Sequence, residues 1–369
     1  MKTMSEIDKK FAYGDKFPGK TDLYRIPDGH FSLFGVRYYE GEGFLRLPPD
    51  VAAEVSDNVE ILAHHTSGGR LFFRTDSRYI GIRVRYKYMT KLSNLELSAS
   101  GFVLIEERGD VRRYVKIMPP KHTDDDGYDF IVDTCDAADS PEGGIRSYIL
   151  YFPTVQRVGE LFVELERGAH VESVDKYDSL PILYYGSSIT QGLCAGRADN
   201  TYEAFIEKWS GVDFVNLGFS GNGKGEDRMI EYLCTLPCRA FVCDYNHSGI
   251  DLDYFAIQHP KLYREFRRTH PETPILLLTK TWIYTDIEHI ELVRRAEEQE
   301  KIIYKTYTDA RARGDENVYF LSGVEMLSEL SHTDRMSAAN DSDHPNELGF
   351  YLMAKKIYEK LSSIPNALR

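Results

Sequence analysis

The stretch PILYYGSSITQG, residues 181–192, decides the fold of the second half of the chain. Its first five residues form a short apolar run that ends at Gly186, which predicts a buried strand. Ser188 lies between this strand and the helix expected after it, so its hydroxyl group should face the edge of a sheet. On its own, such a serine would be interpreted as a helix cap.

Strands and helices alternate from this stretch onward. We predict strands at 181–185, 212–216, 240–244, 274–279 and 318–321, and helices at 201–209, 227–236, 253–268, 286–313 and 345–361. This alternation predicts a parallel sheet with helices on both faces, a three-layer α/β/α domain. Ligands bind outside the carboxyl ends of the strands in such sheets. Ser188, Gly221 and Asn246 all follow predicted strands and should therefore meet at one edge.

The first half of the chain has a different pattern. Between residues 24 and 165, runs that alternate in polarity, such as 70–74, 79–86 and 101–106, are separated by Gly, Asp, Asn and Pro. This predicts an antiparallel β-sandwich that resembles a jelly roll. The polar residues 172–180 should form a linker. Since 369 residues exceed the usual size of one core, we predict a sandwich domain at 1–175 and an α/β domain at 176–369.

Composition narrows the possible partners and the compartment. The net charge of -13 disfavours nucleic acid and anionic membrane surfaces as partners. No apolar run has the length of a signal-peptide core or a membrane span, and the odd number of cysteines, five, suits a reducing compartment. We therefore expect a cytoplasmic protein. Cys234, Cys238 and Cys243 are interpreted as small buried side chains rather than as a metal site.

Asp341 and His344 stand three positions apart near the last predicted helix. A serine hydroxyl is a poor nucleophile unless an imidazole removes its proton, and a carboxylate orients that imidazole. Asp343 is a second candidate for the orienting carboxylate. Alone, this motif would be read as a helix cap with a surface histidine and with Pro345 at the first helical position. A phosphate-binding loop at 186–192 is disfavoured because the lysine and the spacing of that motif are missing.

These motifs together resemble those of the SGNH hydrolase superfamily, the GDSL esterases. The first block corresponds to 186–192, the second to 216–221, the third to 244–246 and the fifth to 341–345, while 19–24 and 65–70 resemble the N-terminal sandwich of a subgroup. The resemblance implies that Ser188 is the nucleophile, with His344 as base and Asp341 as its partner. It implies an oxyanion hole made by the Ser188 and Gly221 amides and the Asn246 side chain.

The sequence departs from the family pattern at a few positions. Ser187 stands where Asp is frequent, and Asp244 and His247 replace the Gly and Asp that usually flank the third-block asparagine. The loops after the strands should line the pocket. We therefore name four further residues as candidate substrate contacts: Arg197, Tyr245, His247 and Trp282.

The resemblance implies a carbohydrate esterase that removes acetyl or other small acyl groups from saccharides and needs no cofactor or metal. Its substrate would be a small-molecule or oligosaccharide ester. Two alternatives remain open: an acyltransferase that uses the same acyl-enzyme, and a carbohydrate-binding protein without catalysis. The sandwich could form part of the cleft, mediate a homo-oligomer contact or act as a rigid scaffold.

Overall fold

The computed structural model describes residue 7 and residues 17–88, 100–120, 126–134, 144–246, 250–281, 290–331, 333–341 and 343–368. Its strands, in chain order, are β1 (Thr21–Ile26), β2 (Ser32–Phe34), β3 (Arg37–Tyr39), β4 (Gly43–Leu45), β5 (Arg70–Thr75), β6 (Tyr79–Tyr88), β7 (Phe102–Arg108), β8 (Val111–Met118), β9 (Gly127–Asp133), β10 (Arg146–Tyr151), β11 (Arg157–Glu166), β12 (Val171–Ser173), β13 (Ile182–Gly186), β14 (Phe214–Gly218), β15 (Ala240–Asp244), β16 (Ile275–Leu278) and β17 (Val318–Leu321).

The α-helices are α1 (Pro49–Val55), α2 (Asp57–Ala63), α3 (Ser188–Gln191), α4 (Tyr202–Ser210), α5 (Asp227–Leu233), α6 (Leu252–Thr269), α7 (Ile290–Ala312), α8 (Gly323–Met326) and α9 (Glu347–Ser362). Short 3-10 helices lie at Ala198–Asn200 and Arg335–Ala338. No helix in the described ranges is both long enough and apolar enough to span a bilayer.

The N-terminal half forms two antiparallel sheets. One has the strand order β1-β11-β6-β9, and the other has the order β12-β5-β10-β7-β8 with β2 paired to β5. Along β6, Ile80, Ile82 and Val84 are buried at every second position, because successive side chains of a strand point to opposite faces. These residues join a hydrophobic cluster with side chains of both sheets. The predicted antiparallel sandwich is confirmed.

Two predictions for the first half need correction. The expected all-strand segment contains helices α1 and α2, whose local signals are Pro49 at the start of α1 and Ser56, which caps α2 by accepting from the Val59 amide at 3.2 Å. The expected linker at 172–180 begins as strand β12, which pairs with β5. A three-residue strand with mixed polarity gives too weak a periodic signal to be recognised in a sequence.

The C-terminal half contains a five-stranded parallel sheet with the order β14-β13-β15-β16-β17. Alternate residues of its strands enter two hydrophobic clusters: Ile182 and Tyr184 pack on the side of α4 and α9, whereas Leu183 and Tyr185 pack on the side of α5, α6 and α7. The predicted three-layer α/β/α architecture is confirmed. Strand β14 begins two residues later than predicted, because its ladder starts where Phe214 pairs with Ile182.

The two halves share one hydrophobic cluster. Phe72, Val103 and Tyr151 of the sandwich belong to the same buried cluster as Tyr184 and Phe350 of the α/β half. Ion pairs also cross the contact. The buried Arg70 guanidinium lies 2.8 Å from the Asp213 carboxylate, and Arg112 donates to the buried Glu207 carboxylate at 2.7 Å. The boundary between residues 175 and 176 stays a prediction, but the sandwich is packed onto the sheet domain over a large apolar surface.

Candidate active site

Three adjacent strands place the candidate site. Strand β13 lies between β14 and β15: the chain runs from β13 to β14 on one side and then crosses back to β15 on the other side, so the strand order reverses direction here. This is the position where ligands bind in open α/β sheets. Ser188 follows β13, Gly221 follows β14 and Asn246 follows β15. The structure therefore places all three residues beyond the carboxyl ends of neighbouring strands.

Glycines allow the turn that carries Ser188 to lie directly against the strand ends. A Cβ atom on Gly186 would come within 2.5 Å of the Asp244 carbonyl oxygen, and one on Gly218 would come within 2.2 Å of the Gln191 amide nitrogen. Any side chain at either position would push the turn away from the sheet. Ser188 is the first residue of α3, and its side chain is buried except for a small exposed fraction.

Ser188, His344 and Asp341 form a continuous chain of hydrogen bonds. The Ser188 Oγ lies 2.9 Å from His344 Nε2, and His344 Nδ1 lies 2.9 Å and 3.1 Å from the two Asp341 carboxylate oxygens. The serine and the histidine are 156 positions apart in the sequence. In this arrangement Nδ1–H donates a hydrogen bond to the carboxylate, which leaves Nε2 as an acceptor for the serine proton.

The loop that carries the histidine is held by its own backbone. Asp341 Oδ1 accepts from the amides of Asp343 and His344, each at 2.7 Å. Partial burial opposes ionisation of Asp341, but these two amides and the His344 ring outweigh it and lower the pKa of the carboxyl below its ordinary value. The Asp343 carboxylate forms an ion pair with Lys280, whereas the Asp341 carboxylate contacts the His344 ring.

The predicted position of Pro345 needs correction. Helix α9 begins at Glu347, and the Asn346 side chain caps it by accepting from the amides of Leu348 and Gly349 at 3.0 and 3.2 Å. Pro345 precedes this cap and forms an isolated bridge with Ala339. An asparagine is a better cap than a proline, because its side chain can accept from the free amides of the first turn.

Two of the predicted oxyanion donors, Gly221 and Asn246, face free space or have unpaired polar atoms within the described part of the chain. Gly221 has a φ of +65°, and a Cβ placed on it would meet nothing within 4 Å. The Asn246 side chain is only 2% exposed, yet neither its Nδ2 nor its Oδ1 has a hydrogen-bond partner among the described residues. A buried amide without partners is costly and rare in folded proteins. The Asn246 side chain is therefore a candidate to bind a ligand oxygen.

Sequence reasoning missed Gln191, which links the candidate site to the sandwich. Its Oε1 accepts from the Ser220 amide at 3.0 Å, next to Gly221. Its Nε2 lies 2.9 Å from His65 Nδ1 and donates to the Thr154 carbonyl at 3.2 Å. Burial, together with nearby cationic side chains, lowers the pKa of His65 to about 3, so the ring is neutral and can accept from this amide.

Arg46 of the sandwich supports the same loop from a buried position. It donates to the carbonyls of Gly218, His65 and Leu62 at 2.5, 2.7 and 2.8 Å, and to Asn216 Oδ1 at 3.2 Å. Complete burial lowers the pKa of its guanidinium to about 9. Arg46 lies outside all the family blocks, and the block that contains Gln191 does not indicate its contacts with His65, Thr154 and Ser220, which lie far away in the sequence.

A pocket of about 280 Å³ opens beside Ser220 and Asn222, which flank Gly221. One wall comes from the sandwich and the other from the α/β half, so neither half forms the pocket alone. It is lined by Asn58, Ile61, Leu62, His65, Val155, Gln191, Leu193, Ser220 and Asn222.

The four predicted substrate contacts have different outcomes. Arg197 hydrogen-bonds to Asp199 at 2.8 and 2.9 Å and lines a separate pocket of about 180 Å³. Tyr245 is 1% exposed and lies in the hydrophobic core, so the structure contradicts its predicted pocket role. The alternation of β15 continues past its end and places Tyr245 on the same face as Phe241 and Cys243. His247 and Trp282 lie outside the described residues.

Cys234, Cys238 and Cys243 are free thiols. Cys238 and Cys243 are buried, and burial raises the pKa of both thiols. Cys234 is half-buried at the C-terminal cap of α5 rather than within that helix as predicted.

Two family profiles match consecutive parts of the chain. Residues 29–171 match the N-terminus of SGNH-hydrolase-type esterases, and residues 179–362 match the GDSL-like lipase/acylhydrolase family. The chain belongs to the GDSL-like lipase/acylhydrolase family. It is thus an ester hydrolase of the SGNH type, with the N-terminal domain of such esterases. A comparison with curated proteins found no match.

Solved structures show the same fold over nearly the whole chain. A protein described as a GDSL-like lipase from Bacteroides ovatus is 24% identical, with a TM-score of 0.81 over 92% of this esterase and 97% of that chain. A salicylyl acyltransferase from a tetracycline biosynthetic pathway is 21% identical, with a TM-score of 0.74 and coverage of 94% and 99%. A family two carbohydrate esterase from Cellvibrio japonicus is 13% identical, with a TM-score of 0.60 and coverage of 95% and 99%.

Proposed function

We propose that this esterase cleaves its substrate through an acyl-enzyme on Ser188. The observation that carries the proposal is the chain of 2.9 Å hydrogen bonds from Ser188 Oγ through the His344 ring to Asp341. Each group has the neighbour that the chemistry requires: the hydroxyl has a base, and the base has a carboxylate that fixes its tautomer.

In the first half of the reaction, Ser188 Oγ attacks the ester carbonyl carbon while His344 Nε2 takes the hydroxyl proton. The resulting imidazolium is stabilised by Asp341, and it then gives its proton to the departing alcohol oxygen. In the second half, a water molecule loses a proton to His344 and attacks the acyl carbon. The proton returns to Ser188 Oγ as the carboxylic acid leaves.

The negative charge of each tetrahedral intermediate would be stabilised by the amides of Ser188 and Gly221 and by Asn246 Nδ2. The first amides of a helix have no acceptor within the helix, so the Ser188 amide at the start of α3 is available. Asn246 adds a donor that has no partner among the described residues of the protein. Removal of one such donor typically costs about 3 kcal/mol of transition-state stabilisation.

For the substrate, we propose an acetyl or other small acyl group on a saccharide. The similar folds of family two carbohydrate esterases, including the one from Cellvibrio japonicus, support this class. The pocket of about 280 Å³ beside Ser220 is not lined by Ser188, Asn246 or His344, so it is a neighbouring space and not the position of the reacting acyl group.

Transfer of the acyl group to another alcohol is the second candidate, and it is favoured by the likeness to the salicylyl acyltransferase. Both reactions share the acyl-enzyme and differ only in the acceptor. A carbohydrate-binding protein without catalysis is disfavoured, since a silent site has no reason to hold Ser188, His344 and Asp341 in hydrogen-bond contact.

The first prediction concerns the nucleophile. We expect Ser188→Ala to abolish hydrolysis of a nitrophenyl acetate, because the methyl group cannot form the acyl-enzyme. The far-ultraviolet circular dichroism spectrum should stay that of the wild type, since the change removes one oxygen atom. Activity that survives the substitution would rule out the assigned nucleophile.

The substrate class needs a separate experiment. Acetylated oligosaccharides are incubated with wild-type protein and with Ser188→Ala, with and without an excess of acceptor alcohol, and are analysed by mass spectrometry. Loss of acetyl to water supports the esterase. Appearance of acetyl on the acceptor supports the transferase, and unchanged oligosaccharides would contradict the proposed saccharide substrate.

A further inference from the structure

A thiol lies beside the Asp341 and His344 pair. The Cys194 Sγ, one Asp341 carboxylate oxygen and one His344 ring nitrogen all lie within 4.8 Å of one another. Cys194 follows α3 and is only 8% exposed. Its φ of +71° is in the left-handed region, which residues other than glycine rarely adopt, so the surrounding structure holds the thiol in this position.

The charges around the thiol favour a cation. The carboxylates of Asp341, Asp343 and Glu347 all act on the Cys194 thiol electrostatically, and that of Asp343 is also paired with Lys280. The same negative charges stabilise a divalent cation placed between the thiol and the Asp341 carboxylate.

We propose that Cys194, Asp341 and His344 form an inhibitory site for a thiophilic divalent cation of the zinc class. Sulfur, imidazole nitrogen and carboxylate oxygen are the ligands that Zn²⁺ prefers, at about 2.3, 2.0 and 2.1 Å. In a tetrahedral site these atoms are roughly 3.3–3.7 Å apart, so adjustments of about 1 Å suffice. The thiol proton passes to solvent as the metal–sulfur bond forms, and water takes the fourth position. Nothing is oxidised or reduced.

Occupation of this site removes the base that the reaction needs, so the inhibitory effect rests on the proposed function. If the cation binds Nδ1, the ring proton moves to Nε2, which then cannot accept the proton of Ser188. If it binds Nε2, the lone pair that accepts that proton is occupied. Activity is lost in both cases, although Ser188 and the oxyanion donors are unchanged.

The inhibition is measured on three forms of the full-length protein. We expect Zn²⁺ to inhibit hydrolysis of a nitrophenyl acetate, with full recovery after chelation by EDTA, and we expect no inhibition by the hard cation Mg²⁺. Cys194→Ser should keep the metal-free activity and raise the half-inhibitory Zn²⁺ concentration by more than about tenfold. The control Cys234→Ser, which removes a half-buried thiol elsewhere, should behave like the wild type.

A second readout does not depend on catalysis. Titration with Cd²⁺ should produce the near-ultraviolet absorption of a cadmium–thiolate bond in wild-type protein and in Ser188→Ala. The absorption of Cys194→Ser should be smaller by the contribution of one thiolate. Equal absorption in Cys194→Ser would overturn the site itself, and equal Zn²⁺ inhibition of that variant would overturn its inhibitory role. A protein without esterase activity would contradict the proposed function, while the absorption would still test the site.

Discussion

Asn246 is a residue at which a cost in folding stability coincides with a proposed role in catalysis. It is buried, and its amide has no partner within the described structure. Asn216, in contrast, is also buried but fully engaged: it donates to the Thr190 carbonyl at 2.5 Å and accepts from the Gly218 amide at 3.0 Å. The two asparagines therefore form a natural pair for comparison.

We expect Asn246→Ala to lower kcat by about 10² to 10³ without lowering the melting temperature, because the change removes the proposed oxyanion donor but no hydrogen bond to the described residues. Removal of an unsatisfied buried amide can even stabilise the protein. Asn216→Ala should instead lower the free energy of unfolding by about 2 kcal/mol, since it leaves buried partners unpaired. Thermal unfolding and steady-state kinetics of both variants test this. A destabilised Asn246→Ala protein would contradict the oxyanion role.

The dependence of the rate on pH tests the proposed general base. Hydrolysis should decrease as the pH falls, because a protonated ring cannot accept the Ser188 proton. The pKa of Asp341 is below that of an ordinary carboxyl, so Asp341 stays ionised over this range and only one proton should control the loss. Asp341→Asn should lower kcat at least about a hundredfold at neutral pH. An acid limb that requires two protons would contradict this assignment.

At the scale of elements, the strands of the parallel sheet were the easiest to predict. The strands at 240–244 and 318–321 have the predicted bounds, because the strands of a parallel sheet covered on both faces are short apolar runs between polar turns. Strand β14 begins later than predicted, since Val212 is buried in the core but precedes the ladder. Apolar character marks burial, whereas register depends on the neighbouring strand.

The loops of the candidate site were predicted only in part. The positions of Ser188, Gly221, Asn246 and His344 follow from strand ends and motifs within single segments. The supporting contacts of Gln191 do not, because they join α3 to His65, 126 positions earlier, and to Ser220, 29 positions later. Pairing at such distances is decided by the packed fold, and a single sequence carries no local signal of it.

At the scale of the whole molecule, the sandwich and the sheet domain share a hydrophobic cluster and a set of buried polar contacts. We therefore expect one calorimetric unfolding transition, with a ratio of calorimetric to van't Hoff enthalpy near one. Two separate transitions, or a transition of the sandwich alone, would show that the shared surface does not couple the halves.

Arg46 offers a sharper test of the same coupling. Arg46→Met should lower the free energy of unfolding by about 3 kcal/mol or more, because several buried carbonyl oxygens lose their donor. The matched control is Arg85→Met, which removes an exposed arginine paired with Asp129 and should change stability by less than about 1 kcal/mol. The single transition should persist in both variants.

The guanidinium of Arg46 also limits how this family can be recombined. A chimera that joins the sheet domain to the sandwich of a relative would keep the hydroxyl, the imidazole and the carboxylate, and yet could lose the donor beneath Gly218. Chimeras in which Arg46 and residues 65–67 of this chain are built into the foreign sandwich should retain turnover. Chimeras whose crossover is chosen by sequence identity alone should lose turnover when they lack the arginine that donates to the Gly218 carbonyl.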